Sequence, residues 1–171
     1  MSTKKRWLTV LAALTAVGVL SSTAFAVLTT QSGSTFLRRD VKTETTSNTY
    51  SGITFSPLPG AAIAIGWSSG TRLISATFSA ESVCDGGEDD WCSTRIIVRN
   101  NSSGAITELH PQASLNFAFD TANLWGPEAH SMSRMIRLGA GSWTFYVQRN
   151  NSDTGMDFTL DDWLFQVDQN A

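Results

Sequence analysis

The sequence predicts an all-β protein: a two-sheet antiparallel β-sandwich of the jelly-roll type, with about eight strands after an N-terminal signal helix. From Tyr50 onward, short apolar runs are separated by Gly, Pro, Asn and Asp, and no segment of a dozen residues has a helical period. Within several runs apolar and polar residues alternate, as on a strand with one buried and one solvated face. About eight such strands suit two packed sheets.

The first 26 residues have the three parts of a secretory signal peptide. Basic residues occupy 4–6, an apolar stretch spans 8–20, and Ala-Phe-Ala stands at 24–26. We expect cleavage after this tripeptide and secretion from the cell. The alternative is an uncleaved helix that anchors the chain to the membrane, because no charged residue occurs from Trp7 to Leu37.

Removal of the signal peptide makes the chain more acidic. The sequence has 12 Lys or Arg and 15 Asp or Glu, and three of the cations lie within the signal peptide, so the formal charge changes from −3 to −6. Nucleic-acid binding needs cations that neutralise phosphates. We therefore expect no nucleic-acid partner, and no membrane partner after cleavage.

The strands are predicted in order along the chain. Residues 27–49 are rich in Ser and Thr without a clear period, and we interpret them as a linker or a loosely attached strand. The β-sandwich domain is predicted over 50–171. Its strands are predicted at 50–55, 61–67, 71–80, 94–99, 115–120, 129–138, 143–147 and 156–167. Composition predicts turns or corners at 100–104, 125–127, 139–141 and 150–153.

The last predicted strand contains a change of parity. Phe158 and Leu160 point to one face, whereas Trp163 and the apolar residues after it point to the other. A β-bulge at Asp161-Asp162 would restore one continuous inner face. We expect Arg134, which shares parity with apolar neighbours in its strand, to form a partly buried structural pair with Asp161 or Asp162.

Cys84 and Cys92 are the only cysteines. In a secreted protein such a pair predicts a disulfide rather than a metal or redox site. The enclosed loop contains two glycines and is the densest acidic segment, which suits calcium. The candidate calcium ligands are Asp85, Glu88, Asp89 and Asp90. The alternative is a solvated hairpin tip without a metal.

Tryptophan side chains are candidate ligand-binding groups, because a flat aromatic face can stack on a sugar ring. Trp91 and Trp125 fall at predicted loop ends, which favours exposure and ligand stacking. The alternative is that they cap the core of the sandwich.

A catalytic site is not indicated. Of the two histidines, His110 lies in a predicted loop and His130 at the start of a strand, and no serine stands in a nucleophile elbow. A glycoside hydrolase would need two carboxylates across the scissile bond. Many acids could form such a pair, and nothing distinguishes one: Glu81, Glu88, Asp120, Glu128, Asp161 and Asp162.

Three segments of the C-terminal third carry a resemblance to known proteins: His130–Arg134, Leu138–Phe145 and Phe158–Trp163. With the hairpin between Cys84 and Cys92, they resemble small secreted actinobacterial proteins of jelly-roll type. The second segment is also similar to a strand pair in C1q and TNF-like jelly rolls, and the Leu-Asp-Asp sequence to carbohydrate-binding sandwiches. The resemblance implies a jelly-roll fold but transfers no ligand residues, because no ligand motif matches.

We therefore predict a secreted, non-catalytic β-sandwich that serves as an extracellular binding or assembly module. Its expected partner is an extracellular polysaccharide or a second copy of the chain. The alternative is a calcium-assisted carbohydrate-binding module, and the third possibility is a small glycoside hydrolase.

Overall fold

The computed structural model describes residues 36–113, 117–122 and 126–171. Every regular element in these ranges is a β-strand and every pairing is antiparallel, which confirms the predicted all-β fold class. The predicted signal helix lies outside the described residues. The strands are β1 (Phe36–Glu44), β2 (Asn48–Tyr50), β3 (Ser56–Asp85), β4 (Trp91–Asn100), β5 (Ile106–Glu108), β6 (Asp120–Thr121), β7 (Glu128–Asn151) and β8 (Asp157–Asn170).

One continuous hydrogen-bonded sheet forms both layers of the sandwich. β3 and β7 pair along nearly their whole length, and each contributes one half to each layer. In the first layer β8 pairs with the second half of β3, and β1 and β2 pair with β8. In the second layer β4 pairs with the second half of β7, and β5 and β6 pair with β4. The apolar faces of the two layers enclose the core.

The β3–β7 ribbon bends where its register shifts. Trp67 pairs with Gly141 and Thr71 pairs with Gly139, so β3 advances four residues while β7 advances two. Gly70 lies in this bend with a φ of 77°, a conformation that side chains with a Cβ rarely adopt. The predicted turn at 139–141 is therefore wrong. The chain continues through it as a bent strand, so four of the predicted strands are halves of two long ones.

Three further differences concern short or exposed strands. The predicted strand 50–55 is wrong beyond Tyr50, the last residue of β2. Of the predicted strand 115–120, residues 115–116 lie outside the described residues and 117–119 are not in a strand. Its last residue, Asp120, is the first residue of the two-residue β6. β5 was not predicted. β1 and most of β2 come from the Ser/Thr-rich segment, and β1 shows no apolar alternation because eight of its nine side chains are exposed.

The predicted bulge in β8 is present. Between the pairs Ser79–Leu164 and Glu81–Asp161, β8 contains one residue more than β3. Asp162 takes a positive φ of 43° there. The extra residue returns Trp163 to the face of Leu160, and both side chains are buried. The inner face of β8 is thus continuous.

Candidate functional site

At one end of the sandwich, a covalent bond and a buried hydrogen bond join the two layers side by side. Cys84 of β3 and Cys92 of β4 form the predicted disulfide, with a Cα–Cα distance of 5.7 Å. Two residues before Cys84, Ser82 Oγ donates to Asp120 Oδ2 over 2.6 Å. Asp120 lies opposite Cys92 in the β4–β6 pair. The disulfide therefore connects β3 to β4, and the hydrogen bond connects β3 to β6, which pairs with β4.

Asp120 belongs to a cluster with Glu128 and His130, whose ligand atoms all lie within 4.8 Å of one another. His130 Nε2 is 3.5 Å from Asp120 Oδ1 and 3.5 Å from Glu128 Oε2. Glu128 and His130 are two residues apart on β7, so their side chains share a face. They pair with Ser82 and Ala80 of β3, whose side chains are buried between the layers.

The cluster contains two buried polar atoms without a hydrogen-bond partner: Asp120 Oδ1 and His130 Nε2. The Asp120 side chain is only 2% exposed, whereas that of Glu128 is 54% exposed. The Phe119 ring lies 5.6 Å from the His130 ring and forms one apolar wall. The cluster thus extends from the interior to solvent, and its three ligand atoms could hold a metal ion.

This cluster was not predicted, although each of its residues was considered separately. Its one available signal was the spacing of Glu128 and His130, since residues i and i+2 of a strand lie on one face. Asp120 could not be joined to them from the sequence, because its approach depends on the packing of β6 against β3.

A second feature is a surface cleft of about 310 Å³, which Thr121 of β6 helps to line. Trp91, at the start of β4, is partly exposed there and pairs with Thr121 of β6. The cleft is lined by Glu88, Asp89, Asp90, Trp91, Ala118 and Thr121. The structure therefore brings Trp91 together with three of the four predicted calcium ligands.

Within the acidic loop, Asp90 has structural contacts. Its Oδ2 accepts from the backbone N–H of Gly87 over 2.7 Å, and its Oδ1 accepts from the Ser152 hydroxyl over 3.2 Å. Asp85 is exposed and does not line the cleft. Among the described residues, only the cluster of Asp120, Glu128 and His130 brings three His, Cys, Asp or Glu ligand atoms within 4.8 Å. The four predicted calcium ligands do not converge in this way.

The predicted pair of Arg134 with Asp161 or Asp162 is not formed. The Arg134 guanidinium donates to the Ser133 carbonyl over 3.0 Å and lies 4.5 Å from the centre of the Phe117 ring. Burial lowers the pKa of Arg134, an effect that Glu108 opposes. Arg134 lies opposite Ala76 of β3, whereas Asp161 lies opposite Glu81, so the two side chains are separated along the sheet.

Trp125, the other predicted ligand-binding residue, lies outside the described residues. At the cluster, the Ser82 hydroxyl donates to Asp120 Oδ2. No stretch of the described chain forms a helix with the length and apolar character needed to span a membrane. The disulfide is compatible with an extracellular location.

Comparison with known proteins identifies no family. No protein-family model matches the sequence, and no curated protein matches it. Among solved structures, the chain is similar to the structure of Eiger TNF from S. frugiperda, with 8% sequence identity and a TM-score of 0.33, over 73% of this chain and 92% of that chain. This similarity is too weak to support a conclusion about function, and the resemblance to small secreted jelly-roll proteins stays a prediction.

Proposed function

We propose that the protein is a secreted, non-catalytic binding module that recognises a saccharide through the cleft beside Trp91. The observation that supports this function is the juxtaposition of a partly exposed indole with the Glu88 and Asp89 carboxylates. An aromatic face provides a stacking surface for a sugar ring, and carboxylates accept hydrogen bonds from its hydroxyl groups. Secretion is supported by the signal-like N-terminus and by the disulfide.

The backbone around the cleft is held in place before any ligand arrives. The Trp91 N–H donates to the Ser152 hydroxyl over 3.0 Å, and the Ser152 N–H donates to the Trp91 carbonyl over 3.0 Å. The disulfide closes the same loop through Cys92. A preorganised site loses less conformational entropy on binding, which favours affinity at a small surface.

The charges of the cleft select the class of ligand. Glu88 and Asp89 are exposed and have no hydrogen-bond or ion-pair partner among the described residues. Their carboxylates accept hydrogen bonds but repel anions. We therefore expect a neutral or amino-bearing saccharide, and no binding of sulfated or uronic-acid polymers.

The test is a glycan array on the purified protein, followed by calorimetric titration of the best neutral ligand. We expect Trp91→Ala to weaken binding at least tenfold. Trp143→Ala is the matched control, because Trp143 is also partly exposed but lies beside the β3–β7 bend. Circular dichroism checks that both variants are folded.

Two results would overturn the proposal. One is an array without any saccharide ligand. The other is equal affinity of Trp91→Ala and wild type for the ligand found, since the stacking surface would then lie elsewhere.

A further inference from the structure

We propose that Asp120, Glu128 and His130 bind one divalent transition-metal ion of the zinc class, which crosslinks the two layers of the sandwich. This site is separate from the saccharide cleft, and the inference does not rest on the proposed function.

The spacing of the ligand atoms fits a small metal ion better than a set of hydrogen bonds. His130 Nε2 lies 3.5 Å from each carboxylate oxygen, at the limit of a hydrogen bond. Two ligands of a tetrahedral zinc ion, with bonds of about 2.0–2.1 Å, lie about 3.4 Å apart. A zinc ion therefore fits between the imidazole and either carboxylate with little rearrangement.

The buried carboxylate of Asp120 also favours a bound cation. The residue is 3% exposed, its Oδ2 accepts one hydrogen bond from the neutral Ser82 hydroxyl, and its Oδ1 has no partner. In the described part of the chain, His130 is the only Lys, Arg or His side chain within 4.0 Å of it. A carboxylate removed from water is costly unless an opposite charge or several hydrogen bonds compensate. A divalent ion would provide that charge and also occupy the free Nε2 atom.

The donor set indicates the class of metal. One imidazole nitrogen and two carboxylate oxygens form a mixed N/O set that suits zinc and related first-row ions, whereas calcium and magnesium prefer oxygen ligands alone. Three protein ligands leave one coordination position of the metal for water. That position would be open to solvent, because the Glu128 side chain is exposed.

The ligands come from different layers. Asp120 lies on β6, which pairs with β4, whereas Glu128 and His130 lie on the half of β7 that pairs with the second half of β3. A bound ion would thus tie both ends of the 121–127 segment and reinforce the connection made by the disulfide. Since only the folded chain assembles the three ligands, binding should stabilise the fold.

The experiment uses the purified protein, stripped with a chelator and dialysed, with zinc, calcium and magnesium added separately. We expect one zinc per chain by elemental analysis. We also expect a rise in melting temperature of roughly 5–10 °C at a zinc concentration about 100 times the Kd, and a much smaller rise with calcium or magnesium.

Glu128→Gln and His130→Gln should each weaken zinc binding at least tenfold. Glu128→Gln is the safer variant, because its half-exposed side chain has no other hydrogen bond or ion pair among the described residues. In the presence of chelator, the melting temperature of Glu128→Gln should lie within about 1 °C of that of wild type. In the presence of zinc, it should lie clearly below that of wild type. A purely structural role of Glu128 would not make the difference depend on zinc. His110→Gln, which changes the other, exposed histidine, is the matched control and should bind zinc like wild type.

The proposal is overturned by less than about 0.2 zinc per chain, or by wild-type affinity in both Glu128→Gln and His130→Gln. Loss of zinc in His110→Gln would assign the metal to another surface. A stabilising shift with calcium but not with zinc would refute the metal class.

Discussion

Ser82 donates its hydroxyl hydrogen to Asp120 Oδ2 over 2.6 Å, and this buried bond joins β3 to β6. The disulfide lies next to it, because Cys84 follows Ser82 on the same face of β3 and Cys92 pairs with Asp120. On the other side, Glu128 pairs with Ser82 across the β3–β7 ladder. One short stretch of β3 therefore positions both the covalent crosslink and the carboxylate–imidazole cluster.

Ser82→Ala should lower the free energy of unfolding by about 2 kcal/mol in metal-free protein. The substitution removes the one hydrogen bond of a buried carboxylate, and bonds to charged groups are worth about 1.5–3 kcal/mol. Urea unfolding measures the effect. Ser79→Ala is the control, since Ser79 lies on β3 without a side-chain hydrogen bond among the described residues, and it should cost under about 0.5 kcal/mol. Equal effects of the two substitutions would contradict the assigned role of Ser82.

Asp162→Gly should leave stability unchanged or raise it slightly, whereas Asp162→Val should lower it by about 1–3 kcal/mol. The φ of 43° in the bulge is open to glycine but strained for a β-branched residue. Arg137→Val, at an exposed strand position without a positive φ, is the control for introducing valine. Thermal unfolding of the three variants checks the prediction, which fails if Asp162→Val and Arg137→Val melt alike.

Arg134→Met should be neutral or stabilising by up to about 1–2 kcal/mol, whereas Arg134→Ala should be destabilising by a similar amount. Burial lowers the pKa of Arg134, so its charged form is less favourable in the fold than in water. Methionine keeps the apolar contact with the Phe117 ring and removes the charge. Denaturant unfolding measures both variants. A loss of more than 2 kcal/mol in Arg134→Met would show that the charge itself stabilises the fold.

A double-mutant cycle tests the ion pair that the sequence suggested. Asp161 lies opposite Glu81, away from the strand position of Arg134, so the coupling energy between Arg134→Met and Asp161→Asn should be near zero.

Much of the fold could be predicted where strands have one buried face. Alternation located the second half of β3, and the parity change in β8 located its bulge, because a strand repeats every two residues. The bend at 139–141 was predicted as a turn, and the bend at 68–70 was an unassigned gap between two predicted strands. Glycine suits both turns and bends, and only the pairing of β3 with β7 shows that the backbone continues. The segment that contains β1 is predicted only as a linker or a strand, because an exposed edge strand carries no apolar pattern.

The candidate sites were predictable only in part. Trp91 and the acidic residues are neighbours in the chain, and the short loop closed by the disulfide keeps them together. The cluster of Asp120, Glu128 and His130 depends on residues from two layers.

The sequence alone thus determines the period of the strands, the disulfide and the single-residue bulge, because each of these depends on residues that are close together in the chain. Tertiary packing alone decides that a buried carboxylate meets an imidazole and a second carboxylate. That contact forms only when β6 of one layer closes over β3 and β7 of the other.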